Sequence, residues 1–241
     1  LLAKGIGARM YCQHISSAES VSMFRKAKSD GVKIYAETCP HYVTLTDMAL
    51  AGSDEFWKGD GAGYFDVFTG SCKGMKPPRW SRYHTNFKMN PPLGSDEDRA
   101  ALIEGLRDGT LDVISSDHAP HCGHEKEVEY DVAPFGIIGL ETELGMALTS
   151  LYHRKVLSLS EIIRKFTAAP AELLRIDKGT LSVGAAADIT VFDPEEEWVY
   201  DAAQGASKSQ NSPFDGWPVK GRVHGTWVAG RQVYSLEKQD F

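Results

Sequence analysis

The 241-residue sequence has only four cysteines, Cys12, Cys39, Cys72 and Cys122, and no two are spaced as Cys-x-x-Cys. Neither a zinc ribbon nor a disulfide scaffold is indicated, so the thiols read as reduced, in a cytoplasmic protein. No block of lysine and arginine stands out either. The 26 basic residues are scattered among 33 acidic ones, for a formal net charge of −7. Nucleic-acid binding needs a basic face to neutralise phosphates, which argues against that class. No apolar run approaches the ~20 residues of a membrane helix, and no charged-then-apolar leader is present. The chain opens Leu1-Leu2-Ala3 without a methionine, and a start inside a longer polypeptide is expected. What remains is ordinary globular composition, 42% hydrophobic and 24% charged, long enough to bury a sizeable core.

The patterning is that of an α/β chain. Ala8–Ile15 reads as a short strand ending at His14. Ser16-Ser-Ala-Glu19 offers a capping box, and Val21, Phe24 and Ala27 form a helical stripe up to the stop at Asp30-Gly31. Lys33–Cys39 is a second strand ending at Pro40-His41. Asp96–Arg107 is a helix stopped by Asp108-Gly109, and Leu111–Ser116 a third strand. Strand, helix, strand with short breaks is the rhythm of parallel βα units. Helices are expected at Gly139–Tyr152, Leu159–Phe166 and Ala171–Leu174. From about Lys178 the texture turns to β-type runs at Asp188–Phe192, Arg222–Val228 and Gln232–Tyr234.

Ala51–His84 fits neither pattern. It holds several glycines, Pro77-Pro78 and the aromatics Phe56, Trp57, Tyr64, Phe65, Phe68, Trp80 and Tyr83. So long a connection is unusual in a compact domain, and it reads as an insertion. A subunit contact or a local mini-core is favoured over a catalytic role.

Three strand ends carry metal-ligand chemistry: His14, His41 and Asp117-His118-Ala-Pro-His121. In parallel α/β barrels the functional groups come from the C-terminal ends of different strands, where the loops converge. Imidazole and carboxylate suit zinc or a similar divalent ion. Each residue also has a bland reading, a hydrogen-bonded structural histidine or an Asp117 that caps the next turn. His118 is read as supporting its turn, and Cys122 and His124 as structural. Pro134–Gly139 does not match a phosphate-binding glycine pattern.

Taken together, Glu37-Thr-Cys-Pro-His41, Asn86–Leu93 with its Asn90-Pro-Pro, Ser116–His121 and Ala133–Thr142 resemble the dihydroorotase family of amidohydrolases. So do Asp177–Leu181, Val183–Thr190 and Ser207–Trp217, so the similarity runs nearly end to end, broken by Ala51–His84. The resemblance implies the C-terminal part of a (β/α)8 TIM-type barrel over residues 1–177, with the insertion at about 51–84. A small C-terminal β-rich segment at 178–241 is appended to it. It implies a binuclear zinc site in which His14 and His41 serve one ion, while Asp117 ligates the other and acts as general base. Asn90, His121 and the backbone around Pro134, Phe135 and Gly136 would line a small-molecule substrate. Two divalent ions would acidify a shared water and polarise the scissile carbonyl, and Asp117 would carry the proton to the ring nitrogen. The reaction implied is the reversible interconversion of dihydroorotate and N-carbamoyl-L-aspartate in pyrimidine biosynthesis. Homo-oligomers or an aspartate transcarbamoylase partner fit the same resemblance.

The family's His-x-His pair, its bridging carboxylate or carboxylated lysine, and the arginine and asparagine that grip substrate have no counterpart in this sequence. The chain by itself is therefore expected to be inactive. Gly94 stands where the family usually has arginine, and Tyr42 where a second histidine is common. The rival readings are a related cyclic amidase, such as dihydropyrimidinase or allantoinase, and a non-catalytic dihydroorotase-like subunit.

Overall fold

A computed structural model describes residues 2–237. After the short helix α1 (Leu2–Ile6), three strands form a parallel sheet in the order β1 (Met10–Cys12), β2 (Ile34–Thr38), β3 (Val113–Ile114). Met10 pairs with Ile34, and Glu37 with Val113, so β2 is central. It is buried at Ala36, Glu37 and Thr38, next to the strand ends that carry His14, His41 and Asp117.

Helix α2 (Ala18–Ser29) links β1 to β2 and buries Val21 and Phe24, the expected stripe. Its cap is Ser17 rather than Ser16: the Ser17 hydroxyl accepts the Ser20 amide proton, and Glu19 takes no part. Two shorter helices follow, α3 (Pro40–Thr44) and α4 (Ser53–Lys58). Pro40 starts α3 at a position where a missing amide proton costs nothing. Helix α5 (Asp96–Arg107) opens on a Ser95–Asp98 capping box with three acidic residues in its first turn, and closes with Arg107 in its last, matching the helix dipole.

Helix α6 (Gly123–Lys126) precedes α7 (Glu143–Ala147), which starts later than the sequence pattern predicts, after a turn at 139–142. It runs on as a π-helix, Leu148–Tyr152, where His153 donates to the Leu148 carbonyl five residues back. Helices α8 (Leu159–Phe166) and α9 (Ala168–Leu174) complete this layer. No helix among the described residues is long and apolar enough to cross a membrane.

The C-terminal strands β4 (Ile189–Val199), β5 (Pro218–Val228) and β6 (Arg231–Ser235) form an antiparallel sheet in that order. Strand β4 outruns the expected Asp188–Phe192. It passes Pro194 through a register shift between Asp193 and Glu197, the kind of irregularity at which a strand tolerates proline.

The aromatics of 51–84 are core. Trp217, fully buried, lies 4.7 Å from the Trp57 ring and stacks on Trp80 at 5.8 Å; Trp80 stacks in turn on Phe87. Tyr64 donates to the Pro218 carbonyl at 2.8 Å. The Glu197 carboxylate accepts amide protons from Thr69, Gly70 and Cys72 at 2.7–3.0 Å. The insertion and the C-terminal sheet are thus one packed unit.

Between this sheet and helices α7–α8 lies an open groove of about 1130 Å³, lined by Leu144, Ile163, Phe166, Leu181 and Ile189 among others. Leu181, Val183 and Val191 are exposed nearby.

Candidate metal centre

His14 stands two residues past β1, at the end of the chain run that His14 and Ile15 extend along β2: Ile15 donates to the Glu37 carbonyl at 2.8 Å. Asp117 stands three residues past β3. Both have left-handed backbones, φ +41° and +49°. Non-glycine residues adopt this conformation at a cost, and such outliers cluster at functional sites.

His41 lies in the first turn of α3 and is 2% exposed. Ligand atoms of Cys39, His41 and Asp117 all lie within 4.8 Å of one another. Three buried side-chain nitrogens among the described residues have no hydrogen-bond partner: Nε1 of Trp217, in the aromatic cluster, and, at this centre, Nδ1 of His14 and Nε2 of His41. A buried polar atom left unsatisfied is rare enough to need a reason, and an ion accepting both lone pairs would supply one.

The electrostatics tie these groups together. Burial, with the charge of His14 added, pushes the His41 imidazole down to about 3. Burial pushes the Asp117 carboxyl up, against the opposing pull of His14. Glu37 is also pushed up by burial and by Asp117, although the His14 amide and the Ser115 hydroxyl donate to it. Tyr11 donates its hydroxyl to the same carboxylate. Glu37 thus holds the chain at His14, its own carbonyl also accepting the Ile15 amide proton.

Cys39 and Glu37 went unassigned by sequence reasoning. Part of the signal was there: Glu37 and Cys39 are at i and i+2 of an extended run, the spacing that puts both on one face, and His41 follows in the first turn of α3. Tyr42 is the third. Its ring packs against His41, and its hydroxyl donates to the Pro91 carbonyl at 2.5 Å, anchoring the loop that carries Asn90.

The expected substrate residues occupy two neighbouring loops and the Asn90 turn. His121 Nε2 lies 3.0 Å from the Phe135 carbonyl, and Phe135 is 56% exposed. Gly136 has φ +131°, and a Cβ there would meet Ala119 Cβ at 2.8 Å and His121 Nε2 at 3.1 Å. Asn90 is exposed. No hydrogen bond or ion pair among the described residues joins Asn90 or His121 to the His41–Asp117 pair. His118 accepts the Gly139 amide proton at Nδ1, the turn-supporting role expected of it. All four cysteines are free.

An amidohydrolase family model matches residues 3–233. The chain belongs to the amidohydrolase family. Enzymes of this family are metal-dependent, and Cys39, His41 and Asp117 form a possible ligand group. The amidohydrolase chain is 46% identical over 234 residues to a dihydroorotase of Syntrophus aciditrophicus, covering 97% of this chain and 48% of that protein. It is 44% identical over 233 residues to a dihydroorotase of Pelotomaculum thermopropionicum, with the same coverage. It thus spans about half the length of these relatives. Among solved structures it is similar to L-hydantoinase (dihydropyrimidinase) from Arthrobacter aurescens, with TM-score 0.79 and 31% identity over 97% of this chain and 46% of that one. Dihydropyrimidinase from Brevibacillus agri shares the fold at TM-score 0.80 and 24% identity, over 100% of this chain and 47% of the other.

Proposed function

We propose that this chain is the C-terminal half of a dihydroorotase, with residues 1–177 part of a (β/α)8 barrel and 178–241 a β-rich segment appended to it. The observation that carries the reading is the convergence of His41 and Asp117 at the ends of neighbouring parallel strands, with orphaned nitrogens on His14 and His41. The 42–46% identity to proteins named dihydroorotase favours that substrate within the family. The open groove and its exposed apolar rim fit a fold whose remaining units lie on another stretch of chain.

His14, His41 and Asp117 would hold zinc in a binuclear centre completed by ligands from the other half. What such ions supply is a polarised carbonyl and an acidified water. Asp117 takes the proton that the attacking water gives up and returns it to the ring nitrogen as the C–N bond breaks. Dihydroorotate plus water thereby gives N-carbamoyl-L-aspartate, and the same proton path run backwards closes the ring. Asn90 can donate and accept at once, as an imide edge requires, and His121 with the Phe135 amide faces the substrate carboxylate. Such an enzyme is expected in the cytoplasm.

The structural likeness to L-hydantoinase supports a second reading, a cyclic amidase for rings without the carboxylate. Joining the chain to the N-terminal half of a relative and assaying dihydroorotate against dihydrouracil separates the two. Preference for dihydroorotate supports our reading; preference for dihydrouracil transfers the protein to the rival. In the joined protein, His121→Ala should depress dihydroorotate turnover by about 10–150-fold, the loss of one donor to a charged group, and spare dihydrouracil.

A further inference from the structure

Asn211 lies in the irregular stretch between β4 and β5, far in sequence from the candidate centre, and is 4% exposed. Its side chain commits all its main hydrogen-bonding capacity to the two substrate loops. Oδ1 accepts the His121 amide proton at 3.1 Å. Nδ2 donates to the Ala119 carbonyl and to the Gly136 carbonyl, both at 3.1 Å. Its own carbonyl accepts the Ile138 amide proton at 3.1 Å. One acceptor and two donors on so short a stem is what a primary amide provides and a carboxylate or hydroxyl does not.

Lys126 works from the other side. It is 4% exposed, and its ammonium donates to the Pro134 carbonyl at 3.0 Å and the Gly136 carbonyl at 3.1 Å. No carboxylate pairs with it among the described residues. A buried cation that meets only carbonyls is costly, and here it satisfies two carbonyl oxygens of a single loop. With the His121 ring on the Phe135 carbonyl, all three carbonyls of Pro134–Gly136 are held. Gly136 donates to the Lys88 carbonyl, which leaves the Phe135 amide proton uncommitted among the described hydrogen bonds.

We propose that Asn211, with Lys126 opposite it, is a positioning residue: it locks the His118–His121 loop to the Pro134–Gly136 loop, with the His121 ring held between the Phe135 carbonyl and the Glu125 carboxylate, so that the Phe135 amide presents a fixed donor to the substrate carboxylate. The inference rests on the dihydroorotase reading, and it makes the C-terminal segment part of the substrate site.

The test uses the chain joined to the N-terminal half of a relative. Asn211→Asp keeps the acceptor for His121 but turns an oxygen toward two carbonyls. Its KM for dihydroorotate should rise about 10–100-fold, with kcat and metal content close to wild type. Lys126→Met, which preserves length and burial, should show the same split and serves if Asn211→Asp folds poorly. In the chain alone, Asn211→Ala should speed amide hydrogen exchange at His121 and Ile138 together, leaving the β4–β5 ladder protected. A lowered melting temperature with unchanged KM in both variants would overturn the positioning role while leaving the function intact. Unchanged exchange at both amides would overturn the lock itself. Absence of dihydroorotate turnover in the unmutated joined protein would instead overturn the functional reading, and the proposal with it.

Discussion

Asp98 accepts the amide proton of Ala18 at 2.7 Å, although the two residues are 80 positions apart and open different helices. Its second oxygen accepts from the Ser95 amide and hydroxyl, both at 2.9 Å, in its own capping box. One carboxylate therefore starts both α2 and α5. It also accounts for Gly94, where a Cβ would sit 2.6 Å from the Asp98 carboxylate. Since α2 begins four residues after His14, the same contact holds the end of the first strand.

Asp98→Ala should cost about 2–3 kcal/mol, the sum of two N-terminal caps, read by urea unfolding of the chain. Burial disfavours the Asp98 charge, but the Ala18 and Ser95 donors outweigh it and hold the carboxyl below its usual value. That contribution is fully present above the ordinary carboxylate range and is lost as the pH falls through the depressed native value. The gap between wild type and Asp98→Ala should therefore narrow in acid.

Glu143 gives the opposite pH dependence. Burial pushes its carboxyl up to about 7, and no cation pairs with it among the described residues. The native state then binds an extra proton between the ordinary value and about 7, so stability falls as pH rises through that window. Glu143→Gln should match wild type near pH 4 and exceed it at pH 8 by on the order of 1–3 kcal/mol. Parallel stability curves for the two proteins would contradict this.

Trp217 joins the insertion to the C-terminal sheet through Trp57 and Trp80. Trp217→Ala should destabilise the chain by about 3–5 kcal/mol, the usual cost of deleting a fully buried large aromatic. Near-ultraviolet circular dichroism should lose intensity from the whole cluster, because its ring contacts are mutual.

Metal binding is testable without turnover. His41→Ala should weaken zinc or cobalt binding to the joined protein by more than the ~10–100-fold typical of outer-shell partners, measured by equilibrium dialysis. Gln in place of Glu37 should fall within that range, since Glu37 acts through the His14 backbone. Equal affinity in His41→Ala and wild type would remove His41 from the ligand set.

The strand ends were legible because parallel βα units repeat locally: His14, His41 and Asp117 follow short β-runs whose boundaries composition marks. The cap of α2 was misplaced by one residue because its carboxylate comes from Asp98, not from Glu19. Strand β4 runs past the expected end at Phe192 because a register shift absorbs Pro194, whose carbonyl meets His153 Nε2 at 2.8 Å. The π-helix at Leu148–Tyr152 has no sequence signature; it follows from packing, with Thr149 bonded to Lys220 and Ser150 to Thr44 of the His41 helix. The partners of Trp217 and Asn211 lie far along the chain, and no local pattern points to them.

The bonds from Glu197 to Thr69, Gly70 and Cys72 also bear on how the chain would respond to a protease. Residues 174–184 form an exposed stretch and are the natural place for a nick. Cleavage there would sever the covalent link but not the Trp57–Trp217 packing or the Glu197 bonds. The two fragments should therefore elute together under native conditions and separate only in denaturant, so a clean cut need not yield two free domains.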